Sequence, residues 1–110
     1  MYIFHITPQT TWEQTVLNGS YLPDSLAAEG FVHCSTREQV LETGNRFYHG
    51  QPGLVLLEID PACLDACVKF ENLEGGTTLF PHIYGALNLN AVVRVFPFEP
   101  QESGNFSFPD

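Results

Sequence analysis

The 110 residues include 13 acidic and four basic side chains, for a net charge of -9, and are 44% hydrophobic and 13% aromatic. A chain of this length buries enough surface for one core, and its apolar content excludes a disordered segment. Four cations are too few for the basic stripe that long nucleic acid or an anionic membrane requires, so neither is expected as a partner.

Met1-Tyr2-Ile3-Phe4-His5-Ile6 has no basic region ahead of its short apolar run. A strand over residues 2–6 is expected there, with no signal peptide. Thr11 and Gln14 have capping-box spacing and predict a short helix through Trp12, Val16 and Leu17, stopped by Gly19. Tyr21-Leu22-Pro23 reads as an extended link, and Asp24 or Ser25 as the cap of one or two turns ending at Gly30. Phe31-Val32-His33-Cys34 is a second strand. Thr36 and Gln39 form another capping box and open a helix through Val40, Leu41 and Phe47, with Gly50 after it.

Gln51-Pro52-Gly53 is a turn. The nearly continuous apolar run Leu54–Ile59 suits a central strand covered on both faces. Pro61 to Leu64 reads as a turn or a single helical turn, Cys67–Glu71 as a strand, and Gly75-Gly76 as a hairpin connection. Strands follow at Leu79–Tyr84 and Ala91–Phe98, the last ending at Pro97 or lying at an edge. Residues 101–110 are polar with two Phe and read as a loosely attached, flexible tail after a single domain over 1–100. Helices gather in the first half and strands in the second. That order predicts an α+β fold: a small mixed, mostly antiparallel sheet packed with two main helices.

Cys34, Cys63 and Cys67 are an odd, low count, consistent with reduced thiols in a cytoplasmic protein. Cys63 and Cys67 are at best a weak metal half-site, and the histidine spacing matches no compact zinc motif, so no metal is expected. G-x-G-x-x-G, P-loop and H-E-x-x-H patterns are absent.

Four segments carry groups able to do chemistry. His5 shares a strand face with Ile3; alone, a histidine there is more often a core or edge residue satisfied by backbone. His33 and Cys34 are adjacent on a strand and point to opposite faces, which rules out a mutual dyad and leaves His33 on the side where it can meet His5. Ser35 and Thr36 precede a helix, where hydroxyls usually cap but free N–H groups can hold an anion. Arg46 is one of four cations, at a helix end beside Phe47 and Tyr48. Phe80, His82 and Tyr84 share one strand face, an aromatic platform with an imidazole at its centre. Protonation of these imidazoles is expected to strengthen anion binding as pH falls.

Ile3-Phe4-His5-Ile6, Glu29-Gly30-Phe31-Val32-His33-Cys34-Ser35-Thr36 and Phe80-Pro81-His82-Ile83-Tyr84-Gly85-Ala86-Leu87-Asn88-Leu89-Asn90-Ala91-Val92 occur in an order and spacing that resemble a small bacterial family known as domain of unknown function 952. Some members carry a glutathione-transferase label, but this chain has no thioredoxin-like start followed by a helical domain. The resemblance implies a fold similar to ADP-ribosyltransferases, with NAD or a related nucleotide as substrate or ligand. In those enzymes an early strand His meets a ribose hydroxyl, which His5 matches; Gly30–Ser35 looks like their later strand-to-helix element, and Phe47 and Tyr48 are placed to hold nicotinamide. Their late-strand catalytic Glu has no counterpart near Pro81-His82. Relatives that transfer a tRNA 2′-phosphate onto NAD use Arg and His instead.

The resulting expectation is a cleft in which His5 and His82 are catalytic and His33, Ser35, Thr36, Arg46, Tyr48 and Tyr84 bind ligand, in a glycosyl (ADP-ribosyl) or phosphoryl transferase-like enzyme. The alternative is a non-catalytic module for a small ligand or a protein partner, using the same cleft.

Overall fold

A computed structural model describes residues 1–21, 23–72 and 75–109, with the backbone alone at 24 and 25. The expected caps at Asp24 and Ser25 therefore lie outside the described side chains. The chain runs β1 (Ile3–Pro8), α1 (Gln9–Asn18), β2 (Ser20–Tyr21), α2 (Asp24–Glu29), β3 (Val32–His33), α3 (Arg37–Phe47), β4 (Leu54–Ile59), β5 (Cys67–Glu71), β6 (Phe80–Tyr84), β7 (Leu87–Asn88) and β8 (Val92–Phe98). Short 3-10 turns lie at Pro61–Cys63 and Leu89–Ala91.

The class is α+β, and every described ladder is antiparallel. The strands divide among three sheets rather than one: β1-β4-β8, β3-β6-β5 and the small β2-β7 pair. A single antiparallel bridge, Phe4 with Ser35, ties the edge of the first sheet to the chain just beyond β3. That bridge brings His5 beside His33.

Strand β4 is buried along its whole length, as its apolar run requires. Alternation sends Val55, Leu57 and Ile59 into one core with Ile3, Val32, Ile83 and Leu87, and Leu54 and Leu56 into a second with Phe4, Ile6, Val40 and Phe98. Glu58 is the polar interruption; it is buried, and its Oε1 accepts from Arg94 Nε at 2.9 Å across the ladder to β8.

Two local expectations change. Helix α1 starts at Gln9, straight out of β1, with Pro8 at the cap and no side-chain cap bond, so Thr11 lies inside the helix. There Thr11 supplies the carbonyl that the Thr15 hydroxyl donates to at 2.9 Å. Gly19 ends the helix in the left-handed conformation, as expected. The second change concerns the chain end. Residues 101–109 are irregular but not loosely attached, because Phe106 is 5% exposed and stacks on Phe98 at 4.4 Å and 8°. The Phe106 amide donates to Asn45 Oδ1 at 2.6 Å, and Phe108 packs edge-on against Phe4 at 5.4 Å. Gly44 permits this approach: a Cβ there would stand 3.0 Å from the Phe98 ring. The tail thus completes the second core, which two Phe spaced on a polar segment did not signal.

Candidate functional site

The two larger sheets and α3 enclose a cleft of about 660 Å³. Its wall includes His5 from β1, His33 from β3, Ser35 from the bridge, Arg46 at the end of α3 with Tyr48 just beyond, and His82 from β6. His5, His33 and His82 all line this cleft. Register explains it: His33 pairs with His82 across the β3–β6 ladder, and their rings stand 5.4 Å apart, edge to face.

His5 is 8% exposed and both of its ring nitrogens are engaged. Nδ1 lies 2.5 Å from the His33 carbonyl oxygen and Nε2 lies 3.0 Å from the Tyr21 hydroxyl, which is 3.0 Å from Thr7 Oγ1. A carbonyl only accepts, so Nδ1 carries the proton, Nε2 accepts from Tyr21, and the Thr7 hydroxyl donates to Tyr21. Burial is the main reason the His5 pKa falls to about 4; the His33 carbonyl works against the shift and the His33 side chain adds to it. His5 therefore stays neutral through the physiological range and adds no charge for an anion. The catalytic contact with a ribose hydroxyl expected of it has no open nitrogen, and its place is that of a post that fixes β1 to β3 and holds Tyr21.

His82 differs. It is 5% exposed, its Nδ1 is 3.0 Å from Glu71 Oε1, and its ring stacks on Phe31 at 4.3 Å. The Tyr84 hydroxyl donates to the same Glu71 oxygen. Since the carboxylate accepts, the neutral imidazole has its proton on Nδ1 and its lone pair on Nε2. Nε2 makes no hydrogen bond among the described residues and is not sealed inside the protein, so it opens to the cleft that His82 lines. Hydrogen bonds from Tyr84 and then His82 hold the Glu71 carboxyl below its ordinary range, and the same bond from Tyr84 raises the phenol. A carboxylate, an oriented imidazole and an open lone pair are the parts of a general base.

The remaining expected residues sort by geometry. His33 is exposed and its Nε2 meets Glu29 Oε2 at 3.0 Å. Ser35 is buried and donates to Thr43 Oγ1 at 3.2 Å on α3. Thr36 caps α3: its amide donates to Gln39 Oε1 at 3.0 Å, and it does not line the cleft. Tyr84 also lies outside the wall and acts on it through Glu71. Arg46 and Tyr48 line the end of the cleft beside Phe47, whose ring is 5.0 Å from the Arg46 guanidinium.

Glu71, Phe31 and Tyr21 are the residues that sequence reasoning missed. Glu71 reaches His82 because β5 and β6 pair with Glu71 opposite Phe80. Strand alternation around the Gly75-Gly76 connection is the signal that would have found it. Cys34 is buried, which pushes its thiol far above the ordinary range, while Cys63 and Cys67 are exposed; all three are free. Among the described residues, no group of three or more His, Cys, Asp or Glu is placed to hold a metal. None of their helices is long and apolar enough to cross a membrane.

Residues 6–95 match the family described as "Protein of unknown function (DUF952)". The chain belongs to the DUF952 family. Its fold is similar to that of CC0527 from Caulobacter crescentus, whose crystal structure superposes with a TM-score of 0.87 at 30% identity, over 97% of this chain and 94% of that one. The solution NMR structure of CC0527 gives a TM-score of 0.84 at 30% identity, over 94% and 90%. No curated protein matches. The matched residues include His33, Glu71 and His82.

Proposed function

We infer that the cleft binds NAD or a related nucleotide and that this DUF952 chain is a transferase-like enzyme acting at the glycosidic bond of the nicotinamide ribose. The observation that carries the reading is His82, oriented by Glu71 with Nε2 open to the cleft. A volume near 660 Å³ lies within the usual range of small-molecule sites, about 300–1,000 Å³. Ring surfaces at Phe80, Phe47 and Tyr48, together with the Thr43, Thr77 and Thr78 hydroxyls, suit a ligand of flat rings and sugar hydroxyls.

The likeness to ADP-ribosyltransferases is part of this reading. It is supported by the helix that follows β3. The solved relatives are structures of CC0527 and do not bear on it. The carboxylate missing near Pro81-His82 has a substitute in Glu71, which arrives from the neighbouring strand.

In the proposed step an acceptor hydroxyl or water attacks C1′ of the ribose and the C1′–N bond breaks. Its electron pair leaves with neutral nicotinamide, the acceptor proton passes to His82 Nε2, and the Glu71 charge favours the oxocarbenium-like transition state. A phosphoryl transfer in the same cleft would use Arg46 and the imidazoles. A non-catalytic binding module is the second reading, favoured by the complete engagement of His5 and by Arg46 being the lone fixed cation on the described wall.

The test is titration of the full chain with NAD and ADP-ribose by NMR, with released nicotinamide followed by chromatography. Binding should shift His33, Ser35 and His82, and His82→Gln should lower release by about 10²–10⁴-fold while binding persists. No shift at cleft residues with either compound refutes nucleotide binding; binding without release leaves the module.

A further inference from the structure

We propose that the wall formed by Phe80, Glu71 and His82 is a subsite for a flat cationic ring, of the kind an N-alkylated pyridinium presents. The proposal deepens the reading above and rests on the same cleft as the binding site. Antiparallel pairing sets Glu71 directly opposite Phe80, with His82 two residues further along the same face of β6. The side chain of Glu71 is 25% exposed, and Phe80 is half-buried beside it. A positive ring laid on Phe80 meets the face of one π-system and the charge of one carboxylate together.

The charge of Glu71 is open to such a ligand. Its two hydrogen bonds come from the Tyr84 hydroxyl and His82 Nδ1, and neither group is a fixed cation. Lys69, over the Tyr84 ring at 4.9 Å, adds a weak through-space attraction to Glu71 but does not line the cleft, so the carboxylate keeps its side towards the cleft for a ligand. Around the described wall Glu29, Glu42 and Glu71 face one fixed cation, Arg46, which sits over Phe47 at the far end of α3. The field at the Phe80 end therefore attracts cations and repels anions. His82 Nε2 is a second and independent pointer to a ligand: it belongs to a residue that is 5% exposed, lacks a partner among the described residues, and opens to the same space. It can accept from a hydroxyl or water held beside the ring.

A charge series on one ring tests this. The full chain is titrated with 1-methylnicotinamide, nicotinamide and nicotinate by NMR and calorimetry at low salt. The cation should bind roughly fivefold more tightly than the neutral ring, and the anion most weakly, with shifts centred on Phe80 and His82. Glu71→Gln should bring all three to within about twofold of one another, and Phe80→Leu should weaken all three. Should Glu71→Gln fail to fold, salt decides on the wild type: the preference for the cation must shrink as ionic strength rises. Nicotinate binding as well as the cation, a preference indifferent to salt or kept in Glu71→Gln, or no binding by any of the three overturns the proposal. NAD against ADP-ribose separates it from the function proposed above. Equal affinity for the two, with no binding of 1-methylnicotinamide, sinks the subsite and keeps the nucleotide reading. Binding of 1-methylnicotinamide alone does the reverse.

Discussion

Acid should unfold this protein through His5 before it does so through the carboxylates. His5 has a pKa of about 4 in the folded chain against an ordinary 6.5, chiefly because burial disfavours its charged form. Between those two values the unfolded chain binds a proton that the folded chain refuses. Stability therefore rises with pH in this window, and falls as pH drops from 6.5 towards 4. Each pH unit inside the window removes up to about 1.4 kcal/mol, and the whole window about 3 kcal/mol. For a domain of this size that is a large fraction of an expected ~5–15 kcal/mol, and near pH 4 it corresponds to a fall in Tm of roughly 12 °C. The comparison is with His5→Gln, whose amide can donate to the His33 carbonyl and accept from Tyr21 without titrating. Urea unfolding at half-unit pH steps from 8 to 4 gives both profiles. The wild type should lose about 3 kcal/mol more than the variant across the window, whatever their difference at pH 8. Glu71 is held ionised by Tyr84 and His82 in both proteins, so its contribution is lost only at lower pH and cancels in the comparison. Parallel profiles would show that His5 titrates normally and is not sealed in the Thr7–Tyr21–His5–His33 chain.

Three further outcomes are expected. Arg94→Ala leaves the buried Glu58 carboxylate without its partner and should cost about 1–3 kcal/mol by urea unfolding, whereas replacing both residues with apolar ones should cost less. Phe106→Ala, or removal of residues 101–110, opens the stack on Phe98 and should cost about 3 kcal/mol, and a truncated chain of unchanged stability would restore the flexible tail. A thiol reagent should modify Cys63 and Cys67 in the native protein and reach Cys34 only after unfolding, since Cys34 is buried with its thiol pushed up; the Asp60 charge, which raises Cys63, should make Cys63 the slower of the two exposed thiols.

The sequence by itself determined what depends on neighbours along the chain. The apolar run Leu54–Ile59 suited a strand covered on both faces, and it lies between the two cores. The Thr36–Gln39 spacing marked the start of α3, and alternation placed His33 and Cys34 on opposite faces, one exposed and one buried. The aromatic face of Phe80, His82 and Tyr84 was legible for the same reason, because a strand repeats every two residues. The tertiary structure alone decided which distant groups meet. The register of the β5–β6 hairpin gave His82 its carboxylate from Glu71, eleven residues away, and gave the Tyr84 hydroxyl the same partner. The Phe4–Ser35 bridge brought β1 against β3, so His5 spends both nitrogens on protein and cannot make the ribose contact that its position on the first strand suggested. Phe106 became core because Gly44 leaves room over Phe98, a fit between segments some 60 residues apart that no local pattern encodes. Hydrogen-bond partners and burial are properties of the packed chain, and they separate a histidine that holds the cleft together from one that can act in it.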